Sequence, residues 1–137
     1  MHVLFDTNVI IDAAIPERVY HAAALQLLSH VDRGHITGLV TATSIATCWY
    51  VATAHHDVDP RPLFEVIEAT FAFAPMSRAA LRTALDAPRA TDFEDMYLAA
   101  AGSNAGAQCV ATRNEDDFAQ SGLTVYHPDE LVSILAS

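Results

Sequence analysis

Aspartate residues at three separate places in the chain are the side chains best suited to chemistry. Asp6 ends a short apolar run, and Asp117 lies near the end of the chain. Between them, Asp92 and Asp95 are three residues apart and would share one face of a helix. Two carboxylates about 4 Å apart repel each other by roughly 4 kcal/mol at an effective dielectric constant of 20. Such a cluster either retains protons or binds a divalent cation, and hard oxygen ligands select Mg²⁺ or Mn²⁺.

Each of these acids also has a purely structural interpretation. Asp92 follows Thr91 at a predicted helix start, where an acid commonly caps the helix. Asp6 is harder to explain in this way, because a carboxylate that ends an apolar strand is costly to bury without a partner. We therefore predict a functional role for Asp6. The remaining acids that we considered are interpreted as surface or capping residues: Asp12, Asp32, Asp57, Asp59 and Asp129.

The composition is typical of a folded acidic domain. The 137 residues are 52% hydrophobic and 18% charged, with a formal net charge of −10. We expect one domain, residues 1–137, with a substantial core. The net charge argues against a general nucleic-acid coat protein. All seven basic residues are arginines, and the absence of lysine excludes P-loop and Schiff-base chemistry.

The sequence also predicts where the protein is found. No apolar run is long enough to span a bilayer, so we expect no membrane insertion. The N-terminus has no basic region, and Asp6 and Asp12 interrupt the stretch that would be apolar in a signal peptide. A cytoplasmic protein is the expectation, in which Cys48 and Cys109 are buried thiols rather than a disulfide.

Apolar patterns predict alternating strands and helices, hence an α/β fold with a mostly parallel sheet. The predicted strands are His2–Phe5, Ile36–Thr41, Ala72–Met76, Gln108–Thr112 and Leu123–Tyr126. The predicted helices are Val9–Ala14, Glu17–Arg33, Thr43–His55, Asp59–Phe71, Ser77–Leu85, Thr91–Ala105, a turn at Glu115–Gln120 and Pro128–Leu135. Sites in parallel sheets lie beyond the carboxyl ends of strands, where Asp6 and Asn114 both fall.

Three segments of the chain resemble the PIN domain family. They are Asp6-Thr7-Asn8-Val9-Ile10-Ile11-Asp12, Asp92-Phe93-Glu94-Asp95 and Thr112-Arg113-Asn114-Glu115-Asp116-Asp117-Phe118. The resemblance covers essentially the whole chain, and small bacterial members are mostly VapC-type toxins of toxin–antitoxin pairs. It implies a PIN-like three-layer sandwich with a five-stranded mostly parallel sheet flanked by helices. It also implies a Mg²⁺- or Mn²⁺-dependent endoribonuclease that forms a homodimer and is silenced by a cognate antitoxin.

The resemblance assigns roles to individual residues. Asp6 and Asp95 would be the core metal ligands, with Asp117 or Asn114 as a further ligand and Asp92 as an auxiliary acid. Thr7 and Asn8 would fix the turn after the first strand and hydrogen-bond the acids.

RNA must also be held by a chain with a large excess of acids. The candidate phosphate contacts are Arg113, beside the predicted site, and Arg89, just before the acidic helix. Arginine suits this role because its guanidinium binds phosphate bidentately.

One position departs from the family pattern and keeps two alternatives open. Family members often carry Glu in the helix after the second strand, where this chain has Thr47. The first alternative is thus a catalytically weak or inactive PIN-like domain that binds RNA or protein. The second is a haloacid-dehalogenase-like phosphatase, which ranks lower because Asn8 replaces its second aspartate and the chain has no lysine.

Overall fold

The computed structural model describes residues 1–136, and they form one five-stranded parallel sheet with helices on both faces. The strands are β1 (His2–Phe5), β2 (Thr37–Val40), β3 (Ala72–Phe73), β4 (Cys109–Ala111) and β5 (Thr124–Tyr126). The helices are α1 (Thr7–Ala14), α2 (His21–Asp32), α3 (Ala42–His56), α4 (Arg61–Thr70), α5 (Arg78–Asp86), α6 (Phe93–Asn104) and α7 (Pro128–Leu135), with a 3-10 turn at Glu115–Phe118.

The strand order β3-β2-β1-β4-β5 places β1 and β4 next to each other at the centre. All four pairings are parallel, and Phe5 lies opposite Ala111 in the central pair. Asp6 directly follows β1, and Thr112 directly follows β4. The topology therefore brings the segments after β1 and β4 together at one edge of the sheet.

Two apolar cores lie on the two faces of the sheet, because alternate residues of each strand point to opposite sides. Val3 and Phe5 face the core formed with α1, α2, α4 and α7. Leu4 and Val110 face the second core, which is closed by α5, α6 and Phe118 of the 3-10 turn. The predicted α/β three-layer sandwich is confirmed. Among the described residues, no helix has the length and apolar character needed to cross a membrane.

Several predicted boundaries are wrong, each for a local reason. Helix α2 begins at His21 instead of Glu17, because residues 16–20 form turns after Pro16. Helix α3 begins at Ala42 instead of Thr43, because Thr41 caps it by accepting a hydrogen bond from the N–H of Ser44. Strand β3 has two residues instead of five, and Pro75 offers no N–H that would extend the pairing.

The apolar face of α4 is part of the core. Ile67 and Phe71 are buried, and Phe64 packs against them. The Phe71 ring lies 4.9 Å from that of Phe5 in an edge-to-face contact. Trp49 and Tyr50 of α3, by contrast, are exposed.

Candidate functional site

A buried carboxylate, that of Asp6, lies where the two central strands end. Asp6 is 3% exposed and caps the N-terminus of α1, with one carboxylate oxygen accepting from the N–H of Thr7 at 2.7 Å. The other oxygen accepts from the hydroxyl of Thr112, also at 2.7 Å. The Thr112 hydroxyl in turn accepts from the N–H of Asn114 at 2.9 Å. Both oxygens of Asp6 are thereby held in a fixed orientation.

Helix α6 and the 3-10 turn bring three further carboxylates together. Oxygens of Asp92, Asp95 and Asp117 lie within 4.8 Å of one another. Asp92 is also the N-cap of α6, since its side chain accepts from the N–H of Asp95 at 3.0 Å. The structural interpretation of Asp92 is therefore right, and the residue belongs to the cluster as well.

The charges of the cluster act on one another. Partial burial raises the pKa of Asp95 to about 7, and the carboxylates of Asp6, Asp92, Asp117 and Glu94 contribute to the increase. Burial also raises the pKa of Asp6, although its hydrogen bonds from Thr112 and Thr7 oppose the change. Asp6 and Asp95 therefore lie near enough to interact electrostatically. A set of crowded oxygen ligands that retains a proton near neutral pH fits a hard divalent cation.

The residues predicted to support the acids do so only in part. Thr7 reaches Asp6 through its backbone N–H, while its hydroxyl pairs with Ser44 on α3 at 2.7 Å. The side-chain oxygen of Asn8 is buried and has no hydrogen-bond partner within residues 1–136. Thr47, half-buried on α3, is one turn beyond Ser44, and α3 carries no acidic residue. The recorded contact of this helix with the residues beside Asp6 is therefore the hydroxyl of Ser44.

Arg113 makes an ion pair that the sequence analysis did not foresee. Its Nε donates to one carboxylate oxygen of Asp12 at 2.6 Å, and Nη2 donates to the other at 3.4 Å. The Asp12 side chain is only 2% exposed, so its interpretation as a surface or capping residue is wrong. The guanidinium also lies 5.8 Å from the centre of the Tyr20 ring. The RNA contact assigned to Arg113 stays a prediction, for a side chain that is 25% exposed.

Two cavities open beside the acids. One, of about 420 Å³, is lined by Asp92, Asp116 and Asp117 together with residues 88, 90, 91, 119 and 120. The other, of about 350 Å³, is lined by residues 113–117. Arg89, the second predicted RNA contact, is exposed in the connection between α5 and α6, next to residues that line the larger cavity.

Thr112 and Asp12 are the site residues that sequence reasoning missed. A signal for Thr112 was present, because it follows β4 just as Asp6 follows β1, and central parallel strands end side by side. Asp12 gave a weaker signal. It lies six residues after Asp6 among the apolar residues of α1, where an acid needs a partner.

The raised pKa of Asp95 predicts a pH-dependent stability of the metal-free protein. The native pKa of about 7 lies above the ordinary 3.8, so the folded protein keeps a proton that the unfolded chain releases. The free energy of unfolding should therefore fall as the pH rises from about 4 to about 7, by roughly 1–2 kcal/mol after allowance for partial exposure. Above pH 7 this contribution should be constant. Chemical denaturation across this range measures it.

The matched variants are Asp95→Asn and Asp86→Asn, the second at an exposed acid on α5. Asp95→Asn should flatten the decrease, whereas Asp86→Asn should leave it unchanged. Parallel pH profiles for wild type and Asp95→Asn would contradict the assignment of the raised pKa to this carboxyl.

The Asp12–Arg113 pair predicts a large cost when one partner is removed. Arg113→Met leaves a buried carboxylate without its cation and should lower the free energy of unfolding by about 3 kcal/mol. Arg82→Met breaks an exposed pair with Asp86 at 2.8 Å and should cost less than about 0.5 kcal/mol. Denaturant unfolding of both variants at neutral pH provides the comparison. Equal costs would show that the Asp12 pair is as weak as a surface pair.

The family comparison agrees with this geometry. The model of the PIN domain family matches residues 2–116, which include three of the four site carboxylates, Asp6, Asp92 and Asp95. The matched segment stops one residue before Asp117. A comparison with curated proteins finds no match to this chain. PIN domains are generally nucleases and usually use divalent metal ions. Membership of this family implies RNA binding. Because the family model matches most of its length, the chain belongs to the PIN domain family.

Proposed function

We propose that this protein is a Mg²⁺- or Mn²⁺-dependent endoribonuclease that hydrolyses RNA phosphodiester bonds. The observation that carries the proposal is the convergence of Asp92, Asp95 and Asp117 within 4.8 Å, beside the buried Asp6. Three separate parts of the chain supply these acids, and burial together with their crowded charges raises the pKa of Asp95 to about 7. A protein gains no stability from such crowding, which favours a functional reason for it.

The proposed ligands are Asp6 and Asp95, with Asp117 or Asn114 as a further ligand and Asp92 as an auxiliary acid. A bound Mg²⁺ or Mn²⁺ supplies two effects that this reaction needs, a lowered pKa of water and relief of phosphoryl charge. Binding requires Asp95 to lose its proton. We therefore expect the cation to be held more weakly below about pH 7 than above it.

The chain's own residues position the acids. Thr112 and Thr7 hold both oxygens of Asp6, so its carboxylate keeps one direction. The ion pair of Asp12 with Arg113 ties α1 to the segment that carries Asn114 and Asp117. The proposed phosphate contacts are Arg113, through the part of its guanidinium that does not bind Asp12, and the exposed Arg89. RNA would then lie along the cavities beside the cluster.

One observation favours a second candidate function, an RNA- or protein-binding module without cleavage. Helix α3 carries no carboxylate, and Thr47 is at the position where family members often have Glu. A site with one acid fewer has less negative charge with which to hold a cation. The two candidates differ in one measurable property, which is metal-dependent cleavage.

Cleavage of single-stranded RNA in the presence of Mn²⁺ tests the leading proposal. Wild type should cut, while Asp95→Asn and Asp6→Asn should each lose activity by about a hundredfold or more, because each removes a ligand of the ion. Glu65→Gln, at an exposed acid of α4, is the control and should cut at the wild-type rate. The chelator EDTA should abolish cleavage.

The variant Thr47→Glu separates a weak site from an inactive one. If the missing acid limits metal affinity, this variant should cut at a lower Mn²⁺ concentration than wild type does. Cleavage that survives EDTA, or that is equal in all the acid variants, would overturn the proposed mechanism. RNA binding without cleavage in wild type and Thr47→Glu would establish the binding module instead.

We further propose that the protein is the toxin of a type II toxin–antitoxin system. The proposal rests on the resemblance of its motifs to VapC-type toxins. It includes a cytoplasmic location, a homodimer and a cognate antitoxin that silences the enzyme. The exposed Trp49 and Tyr50 on α3 are the residues that we propose for contact with a second protein chain.

Induced expression in a bacterial host tests the toxin proposal. Wild type should arrest growth and Asp95→Asn should not, since the arrest requires cleavage of cellular RNA. Co-expression with the product of the adjacent gene should restore growth if that product is the antitoxin. Normal growth with a wild-type protein that cleaves RNA in vitro would contradict the toxin role but not the nuclease activity.

A further inference from the structure

Two histidine rings are in contact at the edge of the sheet opposite the acidic cluster. His30 lies in the last turn of α2, and His35 lies in the connection to β2. Their Nδ1 atoms are 2.8 Å apart, and the ring centres are 5.1 Å apart. Because β2 starts at Thr37, the pair lies where parallel strands begin, whereas the acids follow the ends of strands. The pair is therefore separate from the carboxylate site.

The backbone at the end of α2 fixes the positions of the two histidines. Gly34 has φ of 77°, and its N–H donates to the carbonyl of Val31 at 3.0 Å. The N–H of His35 donates to the carbonyl of His30 at 2.9 Å. These two bonds form a Schellman motif, in which the residues at the positions of His30 and His35 are usually an apolar contact pair. Here two imidazoles occupy those positions, so the helix end itself holds the rings together.

The pair has the chemistry of a transition-metal ligand set. A hydrogen bond between two Nδ1 atoms requires that one of them carry no proton. Partial burial lowers the pKa of His30, with further contributions from the nearby His35 and Arg33. At neutral pH the ring therefore keeps a lone pair. Neutral imidazole nitrogen suits Zn²⁺, Ni²⁺ and Cu²⁺, whereas Mg²⁺ prefers oxygen.

The separation of the two nitrogens suits chelation. With metal–nitrogen bonds of about 2.0–2.1 Å, two ligands at a right angle lie roughly 2.9 Å apart, and two corners of a tetrahedron roughly 3.3 Å apart. The observed 2.8 Å is close to both values, so the nitrogens need to separate by at most about 0.5 Å, with both rings turning so that their lone pairs face the ion and not each other. Within residues 1–136, no third imidazole, thiol or carboxylate joins the pair in a compact ligand group. Water or a second molecule would fill the other coordination positions.

We propose that His30 and His35 bind a divalent transition-metal cation of the Zn²⁺, Ni²⁺ and Cu²⁺ class through their Nδ1 atoms. This site differs from the carboxylate cluster in both location and ligand chemistry. It does not depend on nuclease activity.

A Zn²⁺ titration of the whole protein, followed by long-range ¹H–¹⁵N spectra of the imidazoles, tests the proposal. The titration is run in excess Mg²⁺, which competes with Zn²⁺ for carboxylate oxygens but not for imidazole nitrogens. Zn²⁺ should shift the Nδ1 resonances of His30 and His35 together and saturably. His30→Gln and His35→Gln should each weaken Zn²⁺ binding by about tenfold or more. Loss of a group that only hydrogen-bonds a metal ligand already lowers metal affinity by about this factor. Amide spectra should show that both variants remain folded.

His56→Gln, at an exposed histidine at the end of α3, is the matched control and should bind Zn²⁺ as wild type does. Asp95→Asn should also leave this binding unchanged. Zn²⁺-induced shifts confined to other histidines, or unaltered affinity in folded His30→Gln and His35→Gln, would overturn the proposal. The rings would then form only a hydrogen-bonded pair.

Discussion

The orientation of one buried carboxylate, that of Asp6, determines how the rest of the site is arranged. An ionised group at the centre of a sheet is costly unless hydrogen bonds stabilise it. Asp6 obtains them from Thr7, at the start of α1, and from Thr112, at the end of β4. The same Thr112 hydroxyl accepts from Asn114, so the strand, the helix and the acidic turn are joined through this single group. The geometry of the site therefore depends on the register of the two central strands.

The crowded acids around Asp6 lower the stability of the metal-free folded state. Burial, together with their mutual repulsion, raises the pKa of Asp95 to about 7 and so keeps a proton on it near neutral pH. A cation bound there would replace that proton and relieve the repulsion, so the folded state and the ion would stabilise each other. The Asp12–Arg113 pair opposes local unfolding. Moving α1 away from the acidic turn would leave the buried Asp12 carboxylate without its cationic partner. The metal-free site is thus strained electrostatically while its backbone is held in place.

Sequence reasoning found the fold and the acids but not the groups that support them. Alternating apolar segments determine the element order, and parallel pairing at the centre follows from the crossover helices. The prominence of Asp6 came from its place after an apolar strand. Asp12 was misinterpreted because its partner, Arg113, is 101 residues away in the sequence. Such long-range pairs leave no local pattern. Thr41 and Thr43 are equally plausible caps by type, and only backbone geometry distinguishes them.

The role of Arg113 bears on how an acidic protein would bind RNA. With a net charge of −10, the chain lacks the broad basic surface that attracts nucleic acid. Arg113, which interacts electrostatically with Asp6, directs its Nε and Nη2 toward Asp12, so much of its charge is neutralised within the protein. Attraction for a phosphate at this edge would then have to come mainly from a bound cation. Under the proposed function, metal removal should weaken RNA binding as well as cleavage, which couples the two steps physically.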